Sequence, residues 1–219
     1  MAAESDQLIA ELRPLVADER VLAAIGAVPR ERFVLPRDRE RAYENVALPI
    51  ADGQTISQPL VVARMLELLR LEPGDRVLDV GTGSGYHAAL LSRLAQRVWS
   101  IERIAELSAA AAATLRELGI TNVGLAVGDG TQGLPEHAPY DAINVAAAAT
   151  SGVPRALLAQ LAEGGRLVAP IGGERQYLVH VVRTGQRFVE RRLDPVRFVP
   201  LIGERERFGG GGPPHRPGN

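Results

Sequence analysis

Three glycines at alternate positions, Gly81, Gly83 and Gly85, follow directly on the apolar run of Val77, Leu78 and Val80 in the stretch VLDVGTGSGY at 77–86. No other feature restricts the fold as much. The apolar run reads as a buried strand, the glycines remove side chains where the backbone must turn tightly, and Ala88, Leu90 and Leu91 open a helix. Strand, glycine turn and helix in that order build half of a nucleotide-type site, where the backbone can approach a bulky ligand. The spacing is GxGxG, whereas a dinucleotide fingerprint would place a glycine where Tyr86 stands.

From Asp75 onward the pattern alternates, with strands predicted at 76–80, 97–102, 122–127, 140–146 and 165–171 and helices at about 84–95, 104–118 and 153–162. Strands separated by helices need right-handed crossovers, so the expected fold is α/β, a doubly wound and mostly parallel sheet with helices on both faces. Gln176–Val182 and Arg187–Leu193, joined by Arg183, Thr184, Gly185 and Gln186, read as an antiparallel hairpin at one edge. Ahead of the sheet, Leu8, Ile9, Leu12, Leu15 and Val16 fall on one helical stripe and Val21, Leu22 and Ile25 on another, giving an N-terminal extension of two short helices. The next stretch carries prolines at 29, 36 and 49 and little periodicity, and is expected to be an irregular, functional loop over the core. Ser57 then falls at or near the N-cap of a helix with Pro59 in its first turn. The chain is expected to form one domain over 1–207, with the N-terminal helices and active-site loop in 1–70 and the sheet and hairpin in 71–207. The Gly- and Pro-rich residues 208–219 are expected to form a disordered tail.

Composition excludes several chemistries. Among 219 residues there is no cysteine, which rules out disulfides, thiolate metal sites and a cysteine nucleophile. All 25 basic residues are arginine, so neither a Walker-A lysine nor a Schiff-base lysine is available. His137, His180 and His215 show no metal spacing, and no metal is expected. A net charge of −1 and a pI near 6.4 argue against a nucleic-acid partner. No apolar run approaches the ~18 residues of a membrane span, and Met1 to Asp6 lacks the basic start of a signal peptide, so a cytoplasmic protein without a membrane partner is expected.

In an open parallel sheet the ligand lies at the carboxyl ends of the strands. Gly81 to Gly85 follow the first strand and are expected to cradle a cofactor through the backbone. Glu102 ends the second strand, where a carboxylate can accept from both ribose hydroxyls. Asp129 and Gly130 follow the third, the first placed to accept an adenine amine and the second leaving room for the ring. Each also has a plainer reading, a solvated carboxylate or a turn. Together, and with Tyr86 in place of a glycine, they favour S-adenosylmethionine over a nicotinamide. Asp79 is a carboxylate inside an apolar strand and needs partners; it can orient the glycine loop or reach the cofactor through water. His87 is expected on the surface of the following helix.

The chain resembles the protein-L-isoaspartate O-methyltransferases over about residues 20–203. The resemblance rests on VPRERF at 28–33, AYENVALPIADGQTISQP at 42–59, VLDVGTGSGY at 77–86, VWSIER at 98–103, NVGLAVGDGTQGLPEHAPYDAI at 122–143, LLAQLAEGGRLVAPIG at 157–172 and PVRFVPL at 195–201. It implies the Rossmann-like fold of class I S-adenosylmethionine-dependent methyltransferases, with S-adenosyl-L-homocysteine as product. It further implies Ser57 as the active-site residue, and Thr55, Ile56 and Ser57 along the cofactor and substrate cleft. Asp79, Gly81, Thr82, Gly83 and Gly85 would form the cofactor's cradle, with Glu102, Arg103, Asp129 and Gly130 beyond it. Val199, Pro200 and Leu201, with Thr55 and Ser57, would meet the substrate peptide. Three departures stand out: Asp79 replaces a more frequent glutamate, Asn144 interrupts an apolar strand, and AAAAT fills 146–150.

The resemblance implies methyl transfer from S-adenosylmethionine to the free α-carboxylate of L-isoaspartyl residues in damaged proteins, the ester then closing to a succinimide; separately, the protein is expected to be a monomer. Such a carboxylate has a reference pKa of about 3.3–3.7 and needs no general base. The alternatives are a methyltransferase of the same fold acting on another peptide carboxylate and a cofactor-binding interaction module.

Overall fold

The computed structural model describes residues 2–203; the tail expected at 208–219 lies outside the described residues. Two helices open the chain, α1 (Ala2–Leu12) and α2 (Glu19–Ala27), the second started by Asp18, whose side chain accepts from the Arg20 amide at 2.9 Å. Residues 28–58 are held by short 3-10 turns and by a miniature antiparallel pair, β1 (Leu48–Pro49) and β2 (Thr55–Ile56). Two-residue strands carry no readable period, and the sequence showed only a loop there. Helix α3 (Pro59–Leu69) has Gln58 at its N-cap with no side-chain bond. The cap comes from elsewhere: Asn45 Oδ1 accepts the Leu60 amide at 3.0 Å, so Ser57 stands one residue ahead of the cap and its hydroxyl is not used to start the helix.

The main sheet comprises β3 (Arg76–Val80), β4 (Arg97–Glu102), β5 (Val123–Val127), β6 (Tyr140–Val145), β7 (Leu161–Ile171), β8 (Gln176–Thr184) and β9 (Arg187–Val196), with α4 (Tyr86–Leu94), α5 (Ala105–Glu117) and α6 (Arg155–Ala159) between them. The strand order is β5-β4-β3-β6-β7-β8-β9; the pairs from β5 to β7 are parallel, and β8 and β9 run antiparallel. The chain leaves β3 toward one edge and returns to its other side at β6, so the topological switch point lies between the ends of these two strands.

Alternation along each strand divides the core into two layers. Val77, Val98, Ala142, Val168 and Leu178 pack with α1 to α5, while Leu78, Ile101, Ile143 and Leu167 pack on the opposite face with Leu157 of α6 and Leu134. The largest departures from the expected boundaries lie around α6 and β7 and at the edge hairpin. The helix expected over 153–162 stops at Ala159, because Leu161 already pairs with Tyr140 in the sheet. The register then shifts across Gly164, at φ +71°, before Arg166 meets Ala142. The hairpin expected at the edge is longer than foreseen, and turns through Gly185, at φ +60°, between paired Thr184 and Arg187.

Candidate active site

The glycine turn sits at the switch point. Its backbone is pinned to both neighbouring strands: the Gly81 amide donates to the Ile101 carbonyl at 2.9 Å, and the Ala146 amide donates to the Val80 carbonyl at 2.8 Å. Gly81 and Gly83 adopt φ of +92° and +51°, a region that other residues enter only under strain. A cleft of about 760 Å³ opens above this turn. Its walls come from distant parts of the chain, Gln54 to Ser57, the 81–84 turn, Ile101 to Arg103, Ala146–Ala147 and Val199 to Ile202. The last segment is sewn on by the Ala148 amide donating to Val199 O and the Leu201 amide to Ala148 O, each at 2.8 Å.

Of the residues singled out from sequence, Thr55, Ile56, Ser57, Gly81, Thr82, Gly83, Glu102, Arg103, Gly130, Val199, Pro200 and Leu201 line this cleft. Asp79, Gly85 and Asp129 do not. Gly85 faces away, where an added Cβ would stand 3.1 Å from Ala111 Cβ of α5, so its small size serves helix packing. Asp129 Oδ1 accepts from the Thr131 amide at 2.8 Å and hydroxyl at 2.7 Å, shaping the turn that carries Gly130. Gly130 has no space for a side chain, since a Cβ would lie 2.7 Å from Val80 Cγ1. Glu102 ends β4 with its carboxylate bound to backbone: Oε2 accepts the Gly83 amide at 2.9 Å and Oε1 the Ile104 amide at 3.1 Å.

Asp79 lies beneath the turn, fully buried. It pairs in register with Ser100 on β4 and Asn144 on β6, so three polar side chains form one row across the sheet, all directed toward α4. Ser100 Oγ donates to Asp79 Oδ2 at 2.8 Å and Asn144 Nδ2 donates to Oδ1 at 2.8 Å. With its proton committed to Asp79, Ser100 Oγ accepts from the Thr82 hydroxyl at 2.6 Å. Burial pushes the Asp79 carboxyl up to about 6; the bonds from Asn144 and Ser100 oppose the rise, and the Glu102 carboxylate adds to it. Asp79 therefore reaches the cleft through Ser100 and Thr82.

His87 corrects the sequence reading, for it is buried and lines the cleft instead of lying on the helix surface. It shares a helical face with Leu90, Leu91 and Leu94, and that spacing was the available signal. Its Nδ1 lies 3.1 Å from Asn144 Nδ2, an obligate donor, which makes Nδ1 the acceptor and places the ring proton on Nε2. Burial, with the Arg30 charge as a lesser cause, lowers its pKa to about 4, so the ring is neutral near pH 7. Asn144, unexplained in the sequence, is thus the bridge between Asp79 and His87. Gln54, Ser84, Ile101 and Ala146 also line the cleft and carried no chemical signal in the sequence.

Beside the cleft a second recess of about 810 Å³ shares Thr55 and Ser57 with it. Ala47, Val61, Val196 and Phe198 supply an apolar lining, and exposed Arg197 stands at its side.

A family model described as protein-L-isoaspartate(D-aspartate) O-methyltransferase matches residues 3–206. A relative named protein-L-isoaspartate O-methyltransferase in Halorhodospira halophila is 56% identical over 190 residues, 85% of this chain and 86% of the relative. Another of the same name, in Vibrio cholerae, is 52% identical over 187 residues, 85% of this chain and 89% of its own length. A solved structure of a protein-L-isoaspartate O-methyltransferase superposes with a TM-score of 0.83 at 31% identity, covering 93% of this chain and 69% of that one. A second, from Plasmodium falciparum and in complex with S-adenosyl-L-homocysteine, gives 0.76 at 27% identity, covering 90% and 97%.

Proposed function

The chain belongs to the protein-L-isoaspartate(D-aspartate) O-methyltransferase family, and from that premise we propose how the residues of its cleft carry out methylation. It is an S-adenosylmethionine-dependent carboxyl O-methyltransferase acting on L-isoaspartyl residues of damaged proteins.

The donor set fits S-adenosylmethionine. The three features that do so are a cradle with no room for a Cβ at Gly130, backbone freed of side chains at Gly81 and Gly83, and the Glu102 carboxylate at the mouth of β4. Gly81, Thr82 and Gly83 would hold its amino-acid part and Glu102 its ribose. Gly130 and Ile101 would flank its base, and Arg103, Thr55 and Ile56 close the sides. Asp79 and Asp129 act at one remove, Asp79 through Ser100 and Thr82, Asp129 through the turn at Gly130. When bound, the cofactor supplies an electrophilic methyl group on a sulfonium.

What remains for the protein is to bring an ionised carboxylate into line and remove its water. No general base is required, and Glu102, the carboxylate in the cleft wall, is bonded to two backbone amides. The substrate carboxylate loses its charge as the ester forms, so a salt bridge to it would favour the ground state over the transition state. Ser57 offers a neutral hydroxyl instead. The substrate peptide runs from the cleft into the second recess, where Val61, Val196 and Phe198 would take apolar neighbours of the damaged residue.

The observation that carries this reading is the convergence of Ser57, the glycine turn and Val199 to Leu201 on one cleft. The single methyltransferase unit expected over 1–207 is supported, within the described residues 2–203, by a cleft that draws on segments from 54 to 202. The protein acts as a cytoplasmic monomer on peptide substrates, not on nucleic acid or membranes. A net charge of −1 argues against a polyanionic partner, the absence of cysteine fits a reducing compartment, and no described helix is long and apolar enough to cross a bilayer.

Labelled S-adenosylmethionine with matched isoaspartyl and aspartyl peptides is expected to give a base-labile methyl ester on the first alone; equal labelling of both would overturn the reading. Glu102→Ala is expected to weaken cofactor binding by about 10- to 100-fold, since a charged acceptor is lost to the ligand and to two amides. Calorimetry reads this directly, and an unchanged affinity would remove Glu102 from the cofactor site.

A further inference from the structure

Arg30 is the largest fully buried side chain among the described residues. Burying a guanidinium is costly unless a carboxylate accompanies it, yet no ion pair among the described residues involves Arg30. Its partners are neutral: Nε donates to the Ala42 carbonyl at 2.9 Å and Nη2 to the Ser57 carbonyl at 2.7 Å, while the guanidinium carbon lies 4.7 Å from the centre of the Tyr86 ring. Nη1 is buried and makes no hydrogen bond. Arginine stays protonated under any ordinary condition, so a full positive charge stands on the carbonyl of Ser57, the residue whose hydroxyl lines the cleft. Its field reaches the cleft wall, where it helps hold His87 neutral.

We propose that Arg30 is a positioning residue for the methylation site: it fixes the Ser57 backbone, and its unneutralised charge draws the isoaspartyl α-carboxylate into the cleft. The inference rests on the placement of that carboxylate beside Ser57. The cation acts through the Ser57 peptide group and not by contact. The site therefore gains attraction for the anion without the tight pairing that would hold it in the ground state. An exposed arginine on the rim would be screened by salt and would serve less well.

The test uses the full chain saturated with S-adenosyl-L-homocysteine and two peptides, one with the isoaspartyl α-carboxylate and one with the α-carboxamide, bound in a calorimeter. The wild type is expected to prefer the carboxylate, and Arg30→Gln to reduce that preference about tenfold, while Arg30→Lys keeps most of it. Loss of a purely structural staple would weaken both peptides alike and would overturn the proposal, as would an unchanged preference in Arg30→Gln. If the wild type itself does not distinguish the peptides, the assignment of the carboxylate to the cleft fails, and that outcome is distinct. Should Arg30→Gln not fold, the salt dependence of the wild-type preference decides: a buried charge leaves it within about twofold between 50 and 500 mM salt, and a collapse would exclude Arg30 as its source.

Discussion

Ser57→Ala lowers kcat by about 10²-fold, the cost of letting the reacting carboxylate shift by about an ångström from its line of attack, with the affinity for S-adenosyl-L-homocysteine unchanged. The substitution removes only the hydroxyl. The Ser57 carbonyl that receives Arg30 Nη2 remains, as does the cap on α3, which Asn45 provides. Stability should therefore hold while turnover falls, and the two measurements separate a chemical role from a structural one. Initial rates at saturating isoaspartyl peptide check the first, and denaturant unfolding the second. Wild-type turnover in the variant would take Ser57 out of the mechanism. A fall in cofactor affinity of the same size would move it from the substrate to the cofactor.

Asp79→Asn and His87→Gln change the pH dependence of stability in opposite senses. Asp79 has its carboxyl raised from 3.8 to about 6 in the folded protein, so its contribution is complete at pH below the unfolded value and is lost as pH rises through about 6. His87 is depressed from 6.5 to about 4; its contribution is complete above the unfolded value and is lost as pH falls toward 4. Each shift corresponds to ~3 kcal/mol over its window. Between pH 4 and 6 the two nearly cancel in the wild type. Removing the histidine leaves Asp79 unopposed, so His87→Gln gains stability relative to wild type as pH falls from 6.5 to 4.5. Asp79→Asn loses it over the same range. Urea unfolding at a series of pH values reads both, and parallel curves for the two variants would show that the buried row does not titrate as described.

The sheet was legible in sequence because its signals are local. Val77 to Val80 and Val98 to Ile101 are predominantly apolar stretches of strand length, each broken by one polar residue, and each precedes a glycine or an alanine-rich helical stretch. The cleft was legible where chemistry sits at strand ends, as with Gly81, Glu102 and Gly130. What could not be read depends on register. Asp79, Ser100 and Asn144 lie 21 and 44 positions apart along the chain and become neighbours only when β4, β3 and β6 pair as they do. Read singly, Asn144 was an anomaly and His87 an exposed residue. The same holds for Arg30, whose sequence context gave no sign of burial, since its partners Ala42 and Ser57 are carbonyls supplied by remote segments. The hairpin of β1 and β2 escaped because its strands are too short to show alternation.

The cleft has one wall from residues 54–57 and another from residues 199–202. Synthesis must therefore pass residue 202 before any catalyst exists, and a nascent molecule that still lacks the second wall is chemically silent toward its neighbours. The same arrangement gives proteolysis an economical off-switch, because a single cut ahead of Val199 would unroof the centre while leaving the seven-stranded platform in place.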